Sequence, residues 1–256
     1  MPVVLLGTLI IGATVLLSHI GLVIVHGHFP VRARQVNNDV AGFFIAVLGV
    51  IYAVLMAFVV VVVWQQFDAA ATDVEREGNA LVSVFRVGGA LPEPTSGLVR
   101  NSSLAYARIV IDEEWPEMAT GGSSARATRA LDDIWAALGP FEPGSERERV
   151  LYAEGLRRLD DLNAGRRIRL LANQTGLPGV MWGLLIGGGV ITILFTYFVS
   201  APSFRTQAAM TMLYSVSLAF VVFMIALLDH PFQGGLRVEP QSFELALDTL
   251  ARLSAR

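Results

Sequence analysis

The sequence predicts an all-α integral membrane protein, with four transmembrane helices in two pairs and a helical insert between the pairs. Three observations lead there. Four apolar stretches, Val3–Val25, Val40–Val63, Gly179–Val199 and Ala208–Leu228, lack any Asp, Glu, Lys or Arg. Each approaches the roughly 20 apolar residues needed to cross a hydrocarbon core about 30 Å thick. The 256 residues are 54% hydrophobic and 16% charged, against roughly 25% charged for a soluble domain. No segment sustains the period-two alternation of a half-buried strand.

The expected organisation is therefore a first helix pair in residues 1–64, with spans at 3–25 and 40–63, and a helical cytoplasmic domain at 65–178. A second pair follows in 179–228, with spans at 179–199 and 208–228, and a C-terminal cytoplasmic tail covers 229–256. The first stretch is expected to be a retained span rather than a cleaved signal. No basic residue follows Met1-Pro2, the apolar core is too long, and no clean small-x-small cleavage site comes after it. Four crossings put the middle segment and both termini on one side. Arg76, Arg166, Arg167, Arg169 and Arg237 lie near the helix ends on that side, against Arg32, Arg34 and Arg205 on the other. The excess predicts a cytoplasmic middle domain.

Within the middle segment, the second span is predicted to continue past Trp64, because Phe67, Val74, Leu81 and Phe85 extend an apolar stripe until Leu91-Pro92-Glu93-Pro94 breaks it. A second helix is expected from Gly97 to Trp115, with Leu98, Tyr106, Ile109 and Val110 inside and Pro116 ending it. Ser123 is predicted to start a third, carrying Leu131, Ile134, Trp135 and Leu138. Ser145 and Glu148 form a capping-box pattern that opens a fourth, with Leu151, Leu156, Leu159, Leu162 and Leu170 as its stripe.

Several function classes are excluded or unsupported. A net charge of −3 gives no reason to propose nucleic acid as a partner, and all 19 basic residues are Arg. Absence of cysteine excludes disulfides and thiolate metal sites. His26 and His28 have no carboxylate beside them, so neither a metal nor a cofactor is expected. No nucleophile elbow, Walker loop or H-E-x-x-H stands in the chain, and the adjacent Glu113 and Glu114 do not face each other on a helix. The expectation is no enzyme and no catalytic residue. His19, inside the first span, reads as a neutral, hydrogen-bonded histidine or as an intramembrane functional group.

The candidate functional residues lie on the spans. Gly42, Ala46, Gly49, Ala53 and Ala57 share one helix face and are helix-packing candidates. Bulky residues flank them, among them Ile51, Leu55, Phe58 and Val62. These are either lipid and packing contacts or the pore-lining residues of a hydrophobic constriction that gates by dewetting. Gly179, Gly183 and Gly187 repeat the small-xxx-small spacing of a helix contact, with Gly188 and Gly189 adding looseness; Thr192, Thr196 and Ser200 extend that face with hydroxyls. The Arg166, Arg167 and Arg169 cluster is expected to bind anionic lipid headgroups, to orient the third span, or to pair with Asp160 and Asp161.

Two runs carry a resemblance. Gly49-Val50-Ile51-Tyr52-Ala53-Val54-Leu55-Met56-Ala57-Phe58 continues to Trp64-Gln65-Gln66-Phe67-Asp68-Ala69-Ala70. Leu228-Asp229-His230-Pro231-Phe232-Gln233-Gly234-Gly235-Leu236-Arg237-Val238-Glu239-Pro240 is followed by Phe243. Over nearly the whole chain the sequence resembles the bestrophin-like membrane proteins of the DUF4239 family, and more distantly the bestrophin anion channels. The resemblance implies a homo-oligomer, a pentamer by analogy, with small anions such as chloride as the permeant species. It makes Ile51, Leu55, Phe58 and Val62 the neck. It also sets off the tail motif Asp229, Pro231, Phe232 and Gly234, in which Pro231 is expected to end the fourth span and Phe232 to pack on the base of the membrane bundle. Asp229 is expected to accept backbone N–H groups. The acidic run that clasps calcium in eukaryotic bestrophins is replaced by Gly235-Leu236-Arg237-Val238-Glu239, too few oxygens for that ion.

The leading expectation is an oligomeric channel for small anions in contact with membrane lipids. The rival is a non-conducting scaffold or sensor whose helical domain binds a cytoplasmic partner.

Overall fold

A computed structural model describes residues 3–28, 38–201 and 203–255. Arg32 and Arg34, used above in the charge comparison, lie outside the described residues. Among the described residues every regular element is helical. The order is α1 (Val3–His28), α2 (Asn38–Gly88), α3 (Thr95–Ile109), a π-helical turn (Val110–Glu114) and α4 (Trp115–Met118). Then come α5 (Ala125–Leu138), α6 (Glu146–Gln174), α7 (Gly179–Phe198), α8 (Phe204–Leu228) and α9 (Gln241–Ser254). Apolar windows long enough to cross a membrane lie in α1, α2, the stretch containing α7, and α8. The chain is an all-α, multi-pass membrane protein.

Two compact units divide the chain: Met1–Gln65 with Leu177–Asp229, and Gln66–Gly176 with His230–Arg256. In the first, α1, α7 and α8 pack on one another around Leu22, Ile193 and Tyr197. Tyr197 donates from its hydroxyl to the Ser18 carbonyl at 2.7 Å. The close approach requires Gly21, where a Cβ would stand 2.6 Å from the Tyr197 oxygen. Small residues allow helix backbones this near in lipid.

The second unit is built on the C-terminal part of α2, with α3, α5, α6 and α9 around one apolar core. The Val74, Leu81 and Phe85 stripe is fully buried there. Leu98, an expected core residue, is 52% exposed; its neighbour Val99 is buried instead. Pro116 does not end the second helix. It lacks the N–H that an α-helix would direct to Asp112, and its ring crowds that carbonyl. The chain widens into the π turn, with the Trp115 N–H reaching the Val110 carbonyl, and helix continues to Met118. Ser124, not Ser123, caps α5, accepting from the N–H groups of Arg126 and Ala127. Ser145 caps α6 as expected, accepting from the Glu148 N–H at 3.2 Å. The Glu148 carboxylate turns one residue further back than a capping box requires, taking the Gly144 N–H at 2.8 Å.

Candidate pore face and buried charge cluster

Four residues of α2, spaced four, three and four apart, are buried: Tyr52, Met56, Val59 and Val63. Tyr52 fixes this face to α7. Its hydroxyl donates to the Leu185 carbonyl at 2.6 Å, and its ring lies on Gly188, where a Cβ would stand 2.5 Å from a ring carbon. Gly188 and Gly189 therefore make a close contact of α7 with Tyr52 of α2, rather than loosening the helix. At Gly42, Gly49, Gly179, Gly183 and Gly187 a Cβ would meet nothing within 4 Å. At these glycines no side chain or backbone of the described residues stands close enough to need the missing Cβ. Ala46, Gly49, Ala53 and Ala57 line an open groove of about 840 Å³ whose other wall includes Tyr214, Leu218 and Val221 of α8.

The pore-lining candidates follow the same spacing one residue earlier than the buried face. Ile51 is 63% exposed and Phe58 68%; Val62 is also exposed and Leu55 half-buried. At 100° per residue, the stripe lies across the helix from the small-residue face rather than flanking it. Thr192 and Thr196 return their hydroxyl protons to carbonyls of α7, those of Gly188 and Gly189 for the first and Ile193 for the second. Ser200 does not.

The tail motif is divided between the two units. Asp229 caps the start of the last membrane pair: its Oδ1 accepts the Leu177 N–H at 2.5 Å and its Oδ2 the Trp182 indole N–H at 3.2 Å. Phe232 does not pack on the membrane bundle. It is buried in the core of the other unit, its ring edge-on to Trp115 at 6.1 Å. The Pro231 carbonyl accepts the Val238 N–H at 2.7 Å, and Gly234 turns the chain with φ at +74°, where a side chain is strained. Phe243 completes the motif, buried beside Trp115 at 5.6 Å.

Trp115 and Phe243 cover a group of buried charges. Arg169, 0% exposed, lies 4.8 Å from the Trp115 ring centre and 5.6 Å from that of Phe243. Its guanidinium bonds Glu77 through Nε at 2.6 Å and Nη2 at 2.9 Å, and Glu114 through Nη2 at 2.8 Å. Nη1 points to the Met118 sulfur at 2.8 Å. Arg166 reaches the other oxygen of Glu114 at 2.6 Å and the Thr128 hydroxyl at 2.9 Å. Tyr106 donates to Glu77 at 3.0 Å. Two guanidinium and two carboxylate groups thus cancel inside a dry core, each hydrogen-bonded, the condition under which buried ions are tolerated. Burial opposes the charge on Glu114, yet the bonds and charges of Arg166 and Arg169 hold its carboxyl below the usual range. Burial opposes charge on Arg169 too, but Glu77 and then Glu114 raise its pKa further. Burial, reinforced by Glu77, pushes the Tyr106 phenol well up.

The architecture matches a known family. A family model described as a Bestrophin-like domain matches residues 12–243. The chain belongs to the bestrophin-like family. A crystal structure of a bacterial bestrophin homologue from Klebsiella pneumoniae, a point variant, superposes on this bestrophin-like chain with a TM-score of 0.71 at 14% identity, covering 96% of this chain and 99% of that one. A second structure of the Klebsiella pneumoniae homologue gives 0.69 at 14% identity, covering 95% and 98%. A third crystal structure, of a variant membrane protein, gives 0.69 at 15% identity over 96% and 99%. At such identity the likeness shows the fold alone. No curated protein matches.

The charge cluster of this bestrophin-like chain was missed from sequence. Arg166 and Arg169 contact neither lipid nor Asp160 and Asp161, since both are buried on Glu114 and Glu77; only Arg167 of the trio is exposed. A signal existed. Leu159, Leu162, Arg166, Arg169 and Asn173 keep one spacing of three and four, as do Val74, Glu77 and Leu81. Charges in core register require a partner of opposite sign.

Proposed function

We propose that this bestrophin-like protein is an oligomeric channel for small anions in the bacterial inner membrane, with the insert and both termini cytoplasmic. A ring of α2 helices encloses the path, and Ile51, Leu55, Phe58 and Val62 form its constriction. One observation supports the reading: among the described residues Ile51, Phe58 and Val62 of this bulky apolar stripe are exposed and Leu55 is half-buried, while the adjoining Tyr52–Val63 face is buried. The stripe bears no charge and no hydrogen-bonding side chain. Its barrier to an ion is therefore the cost of shedding water, and weakly hydrated anions pass more easily than strongly hydrated ones. Gly179 and Gly183, which are exposed, and the half-buried Gly42, Gly49 and Gly187 supply surface for neighbouring subunits or lipid.

The test is anion flux into liposomes holding the purified protein. Leu55→Ala removes the centre of the constriction and is expected to raise the flux about tenfold, the effect of lowering a barrier by roughly 1.4 kcal/mol. No flux from either the parent or the variant would contradict the reading.

A further inference from the structure

Ser200 lies two residues past the C-terminal end of α7 and is 6% exposed, and its hydroxyl oxygen is buried with no hydrogen-bond partner among the described residues. Its backbone is fully engaged. The Asn38 side chain donates to the Ser200 carbonyl at 2.8 Å and accepts its N–H at 2.7 Å. Only the hydroxyl is left over, and leaving such a buried group unpaired is unfavourable.

Ser200 lines a cavity of about 440 Å³ between the N-terminal ends of α2 and α8 and the C-terminal end of α7, within the roughly 300–1,000 Å³ of small-molecule sites. Gly42, Ile45, Val199, Met210 and Tyr214 give it mainly apolar walls, and among the described residues no charged one lines it. Two more polar groups stand beside Ser200. Gln207 uses its amide protons on the carbonyls of Tyr197 and Val199, at 3.3 and 2.9 Å, which leaves its oxygen as an acceptor. Thr211 is 3% exposed, and its hydroxyl has a single contact with Thr196 at 3.4 Å.

We propose that this cavity binds a neutral amphiphile, an alkyl chain ending in a hydroxyl. The terminal hydroxyl exchanges hydrogen bonds with Ser200 and Gln207, and the chain lies along Ile45, Met210 and Tyr214. A charged headgroup meets no counter-charge among the described lining residues and would lose its hydration against apolar walls. A wholly apolar molecule would leave Ser200 unpaired.

The experiment photolabels the full-length protein in lipid nanodiscs with 1-octanol carrying an aliphatic diazirine and maps the adducts by mass spectrometry. Adducts are expected on Met210 or Tyr214, suppressed by excess 1-octanol and much less by n-octane. Ser200→Ala is expected to weaken protection by 1-octanol about fivefold, the effect of one lost hydrogen bond, and to leave the n-octane result unchanged. Gly42→Leu, at a position where a Cβ meets nothing within 4 Å, fills the cavity and is expected to abolish labelling independently of Ser200. Adducts scattered over lipid-facing residues without protection would overturn the proposal. So would equal protection by 1-octanol and n-octane, or protection by glycerol matching that of 1-octanol.

Discussion

Arg169 illustrates how one buried side chain organises its surroundings. It bonds two carboxylates from different helices and is roofed by two aromatic rings. Arg169→Met strips Glu77 of its guanidinium and leaves Glu114 with Arg166 alone, and is expected to destabilise the protein by about 3–5 kcal/mol. Arg169→Lys restores the charge but not the planar fork, so recovery is expected to be partial. Glu77→Gln in the Arg169→Met background removes one unpaired charge and is expected to return part of the loss. Thermal melts of the four proteins check the series. The cluster also sets a pH window. The depressed pKa of Glu114 contributes stability that is present above its unfolded value of about 4.3 and is lost as pH falls through the folded value. The raised pKa of Tyr106 contributes stability that is present below about 10 and is lost as pH rises through its folded value. Melting temperature is thus expected to hold a plateau between these limits and to fall below about pH 4. These pairings were not legible from sequence because the partners lie 52 to 92 residues apart. No local pattern links them, although the core register of Glu77, Arg166 and Arg169 marks those three as buried.

At the scale of elements, α2 and α7 meet through Tyr52 and Gly188. Gly188→Val places carbon inside the Tyr52 ring and is expected to cost about 1–3 kcal/mol. Tyr52→Ala in the same chain relieves the clash, so the two changes together are expected to cost less than their sum, which a double-mutant cycle measures. Asp229→Ala strips the Leu177 N–H and the Trp182 indole of a charged acceptor and is expected to cost about 1.5–3 kcal/mol by the same melt. The helices themselves were legible, because period and length suffice for long apolar or amphipathic segments. What failed was punctuation. Pro116 looked like a stop, yet a π turn absorbs it. Glycine spacing marked Gly179, Gly183 and Gly187, while the contact of α7 with Tyr52 of the same chain falls on Gly188 and Gly189. Spacing reports which residues share a face and is silent on which face meets a neighbour.

For the whole molecule, the membrane class, the four spans and the family follow from hydropathy and from the two motif runs. The exposed stripe of α2 is the feature that only the folded chain reveals, because burial of Tyr52 rather than Ile51 depends on where α7 lies. The proposal that this stripe lines a wet path is open to direct measurement, since the chain contains no cysteine. Single cysteines are placed by Ile51→Cys and Val62→Cys at the ends of the stripe, and by Ala53→Cys and Val60→Cys across the helix. The reconstituted proteins are then treated with an anionic, membrane-impermeant thiol reagent. Thiols react as thiolates, which form in water and not in lipid. The account predicts modification at 51 and 62 at least about tenfold faster than at 53 and 60. Equal protection at all four positions, or faster reaction at 53 and 60, would contradict it.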